Sequence, residues 1–341
     1  MPRLRRSDTS GPGLRRVRHG RGFRYRTADG GPVSDADRER IQQLVIPPAW
    51  EDVWISPHAN GHLQATGLDT AGRRQYLYHP AWRAKRDREK HDHVLDFAAC
   101  LPAARKIAAD QLSSRGLTRE RVLAAAFTLL DVGAFRVGGD RYAEENGSFG
   151  LMTLRREHVH CTAGGLVFEY PAKSGQERMD LITAAPVHSV VCALRRRRPD
   201  GQRLFAHYSG GRWHELDSDS LNEYLCGLLG REVSAKDFRT WNATVLAAVG
   251  LAVSSHTARS PSARKRAVSR VVKEVAGYLG NTPAVCRASY IDGRLIDRYL
   301  DGEPIGFPMD RLGTGVEPGW PATQGGFEAA VLRLLRPAAT G

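Results

Sequence analysis

The sequence predicts an α+β fold of two domains, a small N-terminal domain built on an antiparallel sheet and a larger, mainly helical domain that contains a small β-sheet. The chain has 341 residues, which is enough for two separate cores at roughly 100 to 200 residues per domain. Short extended segments broken by turns fill the region from Phe23 to Pro80, and helical periodicity dominates after it. These two patterns are typical of a sheet-rich domain followed by a helix-rich one.

We expect the chain to divide into four segments. Residues 1–21 mix Arg with Gly, Ser and Pro without apolar periodicity, which favours a flexible basic arm that either contacts phosphates or is merely solvated. Residues 22–88 form the sheet-rich domain with its connector, and residues 89–300 form the helical domain. Residues 301–341 are rich in Gly and Pro up to a short apolar run, and we expect them to be peripheral.

The individual elements follow from local periodicity. In the N-terminal domain, alternating segments predict strands at residues 52–56, 62–66 and 75–78. Helical periodicity predicts the helices of the second domain, at residues 103–112, 119–130, 218–229, 237–251 and 263–279. Three extended runs separated by Gly-containing turns predict its inserted sheet, at residues 154–159, 165–170 and 177–182.

The charge balance indicates an anionic polymer as partner. Lys and Arg total 50 against 37 Asp and Glu, so the formal charge is +13, and nucleic acid is favoured over a membrane surface. No apolar run approaches the roughly 20 residues of a spanning helix, and the Arg-rich start lacks the apolar core of a secretory signal. The five cysteines are far apart without a C-x-x-C pair, so we expect reduced, packed cysteines in a soluble cytoplasmic protein.

A helix break precedes Tyr290. Gly280 ends one helical pattern, and Thr282 or Pro283 lies at the start of the next, which places Tyr290 one or two turns into it. A tyrosine here would ordinarily pack against its neighbours with its hydroxyl hydrogen-bonded. Whether Tyr290 has a functional role therefore depends on the cations elsewhere in the chain.

Four such cations stand out. Arg136 follows an apolar helix, where a buried cation is costly without an anion. Lys173 lies at the tip of a predicted hairpin, and Lys236 and Arg239 are three residues apart, so they face the same way in a helix. Each lysine alone is typical of a solvated charge.

Together and in chain order, these residues resemble the type IB DNA topoisomerases of the poxvirus-type and bacterial branch. The pattern is Arg-x-Gly at 136–138, a hairpin lysine at 173, Lys-Asp-x-Arg-Thr at 236–240, and Gly-x-Thr-Pro at 280–283 followed by Tyr290. The segments 72–78 and 84–88 are similar to the family's DNA-contacting sheet and connector. The resemblance covers about residues 46–299.

The resemblance implies a role for each residue. Tyr290 is the nucleophile, Arg136 and Arg239 bind the scissile phosphate, and Lys173 protonates the leaving 5′ oxygen. Lys236 matches an assisting lysine, and which of the two lysines is the principal proton donor stays open.

Asn281 departs from the family pattern, because poxvirus members have a histidine there. The family role is a hydrogen bond to a non-bridging phosphate oxygen, which a neutral amide can also donate. We therefore expect Asn281 to keep this contact without acting as an acid or a base.

The chemistry accounts for this set of residues. Attack on a phosphodiester adds negative charge in the transition state, and preorganised Arg forks stabilise that charge. Tyrosine has an ordinary pKa near 10 and must lose its proton, while the leaving alkoxide must gain one, which a lysine can supply. The phosphotyrosyl bond stores the energy needed for religation. The sequence contains no G-x-x-x-x-G-K-[ST] loop, so we expect no nucleotide. We also expect no metal or other cofactor, because arginines and lysines take the place of the usual metal ions.

The resemblance also implies a monomer that clamps around double-stranded DNA, associated with the nucleoid. Tyr76 and Tyr78 share one strand face and Gln75 the other. One of these aromatics could instead belong to the core, although the resemblance favours a major-groove surface flanked by phosphate contacts. The DNA-binding candidates are Arg73, Arg74, Gln75, Tyr76, Tyr78, Lys85, Arg86 and Arg141. The run from Arg195 to Arg198 is expected to be a phosphate-attracting loop.

Two other readings remain open from the sequence. Tyrosine recombinases share the two arginines, the lysine and the tyrosine, but typically carry His-x-x-Arg where this chain has Lys236-Asp237-Phe238-Arg239. A non-enzymatic basic DNA-binding protein would need only the charge of +13. It would leave the ordered set of candidate residues as a coincidence.

Overall fold

The computed structural model describes residues 3–197, 201–303, 305, 312–314, 316 and 319–336. It divides into two compact units, Met1–Lys90 and His91–Gly341. Among the described residues, no helix is long and apolar enough to cross a membrane. The fold is α+β, with an antiparallel sheet in the first unit and a mainly helical second unit that contains small sheets.

The described part of the first unit contains a five-stranded antiparallel sheet, a short helix, and the first turns of a long helix that continues into the second unit. Its strands lie in the order β2-β1-β3-β4-β5, and helix α1 contributes Ile41 to a core that includes Leu14, Val53, Ile55 and Ala65. The strands and the helix are β1 (Leu14–His19), β2 (Gly22–Arg26), α1 (Asp35–Gln43), β3 (Glu51–Ile55), β4 (Leu63–Leu68) and β5 (Arg74–Tyr78).

The expected flexible arm is partly ordered, which corrects the prediction for residues 1–21. Strand β1 pairs with both β2 and β3, and Arg5 forms a bridge with Gly61. Only Leu14 of β1 is buried, because the other strand positions are half-buried or face solvent. A strand with one buried side chain leaves almost no apolar periodicity to read.

The second unit is built mainly from helices. Its helices are α2 (Pro80–Ser113, within which the division between the units falls), α3 (Arg119–Val132), α4 (Asp140–Asn146), α5 (Ala185–Arg196), α6 (Ser218–Leu229), α7 (Ala235–Ser255), α8 (Pro261–Leu279), α9 (Pro283–Ser289), α10 (Gly293–Asp301) and α11 (Gly326–Leu335). Helices α3, α5, α7 and α8 contribute to one continuous apolar core.

Two small sheets complete the second unit. One has the order β6-β7-β8, and the other is the hairpin β9-β10. The strands are β6 (Val159–Thr162), β7 (Gly165–Ala172), β8 (Gln176–Ile182), β9 (Ala206–Ser209) and β10 (Arg212–Glu215). The predicted strand at 154–159 is wrong, because a 3₁₀ turn occupies Arg156–His158 and the strand begins only at Val159.

The C-terminal helix is not peripheral, contrary to expectation. In α11, Phe327, Val331 and Leu335 are buried in the main core. Glu328 accepts hydrogen bonds from Arg105 Nη2 at 2.9 Å and from Trp241 Nε1 at 2.9 Å. Its partners lie far away in the chain, so local periodicity carries no sign of them.

Two further expectations need correction. Cys161 and Cys192 form a disulfide between β6 and α5, whereas Cys100, Cys226 and Cys286 are free. Arg197 is buried and donates to the carbonyl of Leu204, so it does not belong to a solvated phosphate-attracting loop. Arg198 lies outside the described residues.

Candidate active site

Arg136 lies in the irregular segment between α3 and α4. Its carbonyl accepts a hydrogen bond from Leu151 N at 2.7 Å, and the carbonyl of Val137 accepts one from Met152 N at 2.8 Å. Gly138 has a φ of +82° and lies so close to Gly150 that a Cβ would approach the Gly150 Cα to 3.0 Å. This backbone pairing holds the Arg136 side chain in one direction.

Arg239 comes from the second turn of α7 and is 2% exposed. Its Nη2 donates to the carbonyl of Leu279 at 2.8 Å, and its Nη1 donates to the carbonyl of Ala134. These carbonyls belong to the end of α8 and to the segment before Arg136. The guanidinium therefore ties together the backbone segments that carry the rest of the site.

The third segment runs from Gly280 to Tyr290. Helix α8 ends at Gly280, which has a φ of +61°, and Thr282 caps α9 by accepting from Val285 N. Tyr290 stands at the C-terminal end of α9, so it follows the new helix instead of lying inside it. Thr244 Oγ1 donates to the Tyr290 carbonyl at 3.3 Å, which attaches this end to α7.

These three segments bring four of the predicted site residues together. Arg136 Nη2 donates to both Gly280 O and Asn281 Oδ1, each at 2.8 Å. The guanidinium carbon of Arg239 lies 5.2 Å from the centre of the Tyr290 ring. Arg136, Arg239, Asn281 and Tyr290, which are up to 154 residues apart in sequence (290 − 136), therefore form one cluster.

The cluster is electropositive and partly desolvated. Burial lowers the pKa of Arg239, and the neighbouring charge of Arg136 lowers it further, while Tyr290 acts in the opposite direction. Burial also lowers the pKa of Arg136. Both changes disfavour the charged guanidinium, so an anion placed between the two arginines would stabilise their charged forms.

Two buried donors in the cluster lack an acceptor. Arg239 Nε and Asn281 Nδ2 have no hydrogen-bond partner within the part of the chain that the structure describes. Buried donors of this kind are rare in folded proteins, because an unmade hydrogen bond costs roughly 1–3 kcal/mol. Two arginines and two such donors form a site suited to an oxyanion.

The two lysines lie in different surroundings from the cluster. Lys173 is exposed at the 3₁₀ turn Lys173–Gly175 between β7 and β8. Lys236 is exposed on the first turn of α7, whereas Arg239, one turn later, is buried. No hydrogen bond or ion pair among the described residues joins either lysine side chain to the other four residues.

Strand β8 attaches the Lys173 hairpin to the cluster. Arg178 Nη1 donates to the carbonyl of Tyr278 at 3.0 Å, and Arg178 pairs with Asp180 at 2.7 Å. A Cβ on Gly280 would meet Arg178 Nη1 at 2.9 Å. Arg178 therefore anchors the hairpin on the turn that precedes Asn281.

Sequence reasoning missed Arg178, Asp180 and Tyr170. The Tyr170 hydroxyl lies 3.5 Å from Asp180 Oδ2, and burial raises the pKa of Tyr170 to about 12. The alternation of β8 was a usable signal, since it places Arg178 and Asp180 on the same side as the buried Ile182. Charged residues on the buried side of a strand require partners.

The first unit carries most of the predicted DNA contacts. Tyr76 and Tyr78 are 47% and 39% exposed, and their ring centres are 6.1 Å apart. The alternative that one of them belongs to the core is therefore wrong. Leu77 packs against the core instead, and Gln75 on the same side donates to Asp69 at 2.9 Å.

The predicted cations are at the surface, each beside a carboxylate. Arg73 pairs with Asp69 at 3.0 Å and Arg74 with Asp52 at 3.5 Å. Lys85 and Arg86 both pair with Glu89, and in the second unit Arg141 pairs with Glu145 at 2.8 Å. Exposed pairs of this kind contribute little to stability, so these cations can exchange their partners for phosphates.

Metal ligands do not cluster in the described part of the chain, where no three His, Cys, Asp or Glu side chains are placed to hold a metal ion.

Two family models match the chain. Residues 79–296 match the eukaryotic DNA topoisomerase I catalytic core, which includes every residue of the cluster. Residues 22–69 match the N-terminal domain of bacterial DNA topoisomerase IB.

Individual relatives agree with these matches. The chain is 29% identical over 296 residues to DNA topoisomerase 1B of Acanthamoeba polyphaga mimivirus, covering 84% of this chain and 87% of that protein. It is 22% identical to DNA topoisomerase 1B of vaccinia virus strain Copenhagen, covering 79% and 85%. A shorter match to DNA topoisomerase 1 of Schizosaccharomyces pombe is 31% identical and covers 38% of this chain and 15% of that protein.

Proposed function

The chain belongs to the type IB DNA topoisomerases, which are isomerases, and from this premise we propose that it relaxes supercoiled DNA through a 3′-phosphotyrosyl intermediate on Tyr290. One strand is broken, the free end rotates, and the strand is then rejoined. The observation that carries the proposal is the cluster itself, in which two arginines and two unpartnered buried donors surround a tyrosine.

The first step is an exchange of phosphate esters. The Tyr290 oxygen forms a bond to the scissile phosphorus and the phenolic proton passes to water. The bond to the 5′ oxygen breaks as that oxygen takes a proton from Lys173. Arg136 and Arg239 bind the non-bridging oxygens, where charge increases in the transition state. Their guanidiniums are held by backbone carbonyls, so little reorganisation is needed as that charge develops.

Asn281 has two tasks in the proposed site. Its Oδ1 accepts from Arg136 and so orients that guanidinium. Its Nδ2 is buried without a partner and donates to a non-bridging oxygen. An amide performs both tasks at any pH, because it neither gains nor loses a proton in the usual range.

Lys173 is the proposed proton donor to the leaving 5′ oxygen. Support comes from its place at the tip of a hairpin that Arg178 anchors beside Asn281. Its exposed side chain is free to move toward bound DNA. Lys236 is the assisting lysine and the first alternative for the acid.

The proposed reaction needs no nucleotide, since the energy of the broken phosphodiester is kept in the phosphotyrosyl bond, and no metal ion, since arginines and a lysine stabilise the charge. The chain acts as a monomer that clamps duplex DNA. Its partner is the chromosome in the cytoplasm. The exposed tyrosines and cations of the first unit contribute to DNA binding.

The test is relaxation of a negatively supercoiled plasmid without ATP and with EDTA in excess. We expect a ladder of relaxed topoisomers and no recombinant products. Activity that requires ATP or a divalent ion would overturn the proposed mechanism, and recombined plasmid multimers would point to a recombinase.

A further inference from the structure

The outward face of the first unit's sheet carries arginines at both edges. In the β1-β2 hairpin, Arg15 is directly opposite Arg26, and Val17 is opposite Arg24. Because side chains alternate along a strand, these residues share one face, whereas Arg16 and Arg18 lie on the other. Arg15, Arg24 and Arg26 are all exposed.

Asp52 shows that this is the same face as the tyrosines of β5. One Asp52 oxygen lies 3.5 Å from Arg15 Nη1, and the other lies 3.5 Å from Arg74 Nη2. All three side chains are about half exposed. Since Arg74, Tyr76 and Tyr78 alternate on β5, the arginines of β1 and β2 continue the surface on which both tyrosines stand.

The cations at the β2 edge also line an open groove. Arg24, Arg26 and Arg38 border a cavity of about 490 Å³ beside β2. The Arg24 side chain makes no ion pair or hydrogen bond within the described ranges, and Arg38 Nη1 lies 3.9 Å from the fully exposed carboxylate of Asp35. The groove is therefore suited to an anion.

We propose that Arg15, Arg24 and Arg26 form a second phosphate-binding strip on the DNA surface of the sheet. This rests on the proposed function, which supplies duplex DNA as the partner. Strands are about 4.8 Å apart, so β1 and β2 lie about 14 and 19 Å from β5. A major groove is only about 12 Å wide. When Tyr76 and Tyr78 of β5 enter the groove, Arg24 and Arg26 thus lie over the phosphate backbone, and Arg15, which shares Asp52 with Arg74, lies at the groove edge beside it. All three add affinity without reading sequence.

The test compares Arg24→Gln with Arg18→Gln in the full chain. Both replace an exposed arginine of the same hairpin, but on opposite faces. Affinity for a 30-base-pair duplex is measured across a series of salt concentrations. The logarithm of K falls as log salt rises, and each phosphate contact adds about 0.9 to the steepness of that fall. Arg24→Gln should therefore reduce the steepness by about one, and Arg18→Gln should leave it unchanged.

A triple variant should reduce this steepness by two to three, equally on duplexes of unrelated sequence. It combines Arg15→Gln, Arg24→Gln and Arg26→Gln. Equal slopes for Arg24→Gln, Arg18→Gln and the parent would overturn the strip. A change in sequence preference would also overturn it, because base reading would then be involved. Melting temperature checks that each variant is folded.

Asp52→Asn supplies an independent readout. Asn tolerates the left-handed backbone of this position, where φ is 46°. It also removes a negative charge that would face the DNA phosphates, so binding should tighten. Unchanged or weaker binding would contradict the strip.

Failure of the strip and failure of the proposed function are distinguishable. If the parent chain relaxes plasmid while the two single variants bind alike, only the strip is wrong. If the parent chain does not relax plasmid, the proposed function is wrong. The slope comparison needs binding alone and would still decide whether the strip exists.

Discussion

At the scale of single residues, Asn281 has the hydrogen-bonding groups that its proposed role at a phosphate requires. It accepts from Arg136 at 2.8 Å and keeps a buried amide donor unpartnered. A neutral histidine could reproduce one acceptor and one donor, whereas a protonated histidine is a donor only.

We therefore expect Asn281→Ala to lose roughly 1–3 kcal/mol of transition-state stabilisation, which is a drop of about 5- to 150-fold in cleavage rate. Asn281→His should cleave near the parent rate above the ordinary histidine pKa of about 6.5 and lose rate below it relative to the parent. Single-turnover cleavage between pH 5.5 and 8.5 measures both. Equal rates for Ala and Asn would remove Asn281 from the site.

Lys173 is tested by a leaving group that needs no acid. A 5′ thiolate leaves unprotonated, because thiols have a pKa near 8.5 whereas alkoxides are far more basic. Lys173→Ala should cleave normal DNA very slowly and DNA with a bridging 5′ sulfur at close to the parent rate.

Arg239→Ala is the matched control for this experiment, since its proposed contacts are to the non-bridging oxygens, and it should be slow on both substrates. Covalent adduct formation in a single turnover is the measurement. Should sulfur fail to rescue Lys173→Ala, Lys173 would be a positioning residue and Lys236 the next candidate for the acid.

At the scale of elements, the C-terminal helix stabilises the segments that hold the arginines. Arg105 on α2 pairs with Asp131 at 2.8 Å and also with Glu328 on α11. Asp131 lies in the last turn of the helix that precedes Arg136, and Trp241, which donates to Glu328, lies two residues after Arg239. Glu328 of α11 thus connects the helix before Arg136, through Arg105 and Asp131, with the helix that carries Arg239, through Trp241.

Glu328→Gln should destabilise the second unit by about 3 kcal/mol, because the amide nitrogen would replace the oxygen that accepts from Arg105 Nη1 and Gly325 N and would leave both donors without that acceptor. The matched control is Glu223→Gln, which breaks an Arg119 pair at 2.7 Å whose glutamate is 75% exposed, and it should cost about 1 kcal/mol or less. The measurement is the free energy of unfolding of both variants in urea. Equal losses would show that α11 is as dispensable as a surface contact.

The elements also show what sequence reasoning can reach. The helices at 119–132, 218–229 and 261–279 were predicted within two residues at each end, because their apolar stripes repeat locally. Strand β1 and the packing of α11 were not predicted. Strand β1 buries only Leu14 and so lacks an apolar pattern, whereas α11 depends on partners distant in the chain, such as Glu328 and Arg105, which are 223 residues apart.

The candidate site divides in the same way. Motif order singled out Arg136, Arg239, Asn281 and Tyr290, and the structure brings all four together. Their hydrogen bonds to Ala134, Gly280 and Leu279 carbonyls, and the anchoring by Arg178, depend on how the backbone folds. The alternation of β8 indicates that Arg178 needs a partner, but no local pattern in the sequence identifies these carbonyls as the acceptors.

At the scale of the whole molecule, the excess of 13 positive charges leads us to expect that DNA binding and the proposed DNA cleavage can be separated. Binding draws on many phosphate contacts spread over the surface, whereas cleavage depends on one oxygen atom. Removing that oxygen should abolish the reaction and leave the complex intact.

The most direct measurement is the covalent adduct on a labelled duplex, followed by mass spectrometry of the digested complex. The parent chain should carry a 3′-linked nucleotide on the peptide that contains Tyr290, and Tyr290→Phe should bind the duplex with parent affinity and form no adduct. An adduct on another residue, or plasmid relaxation by Tyr290→Phe, would contradict the assignment of Tyr290 as the nucleophile.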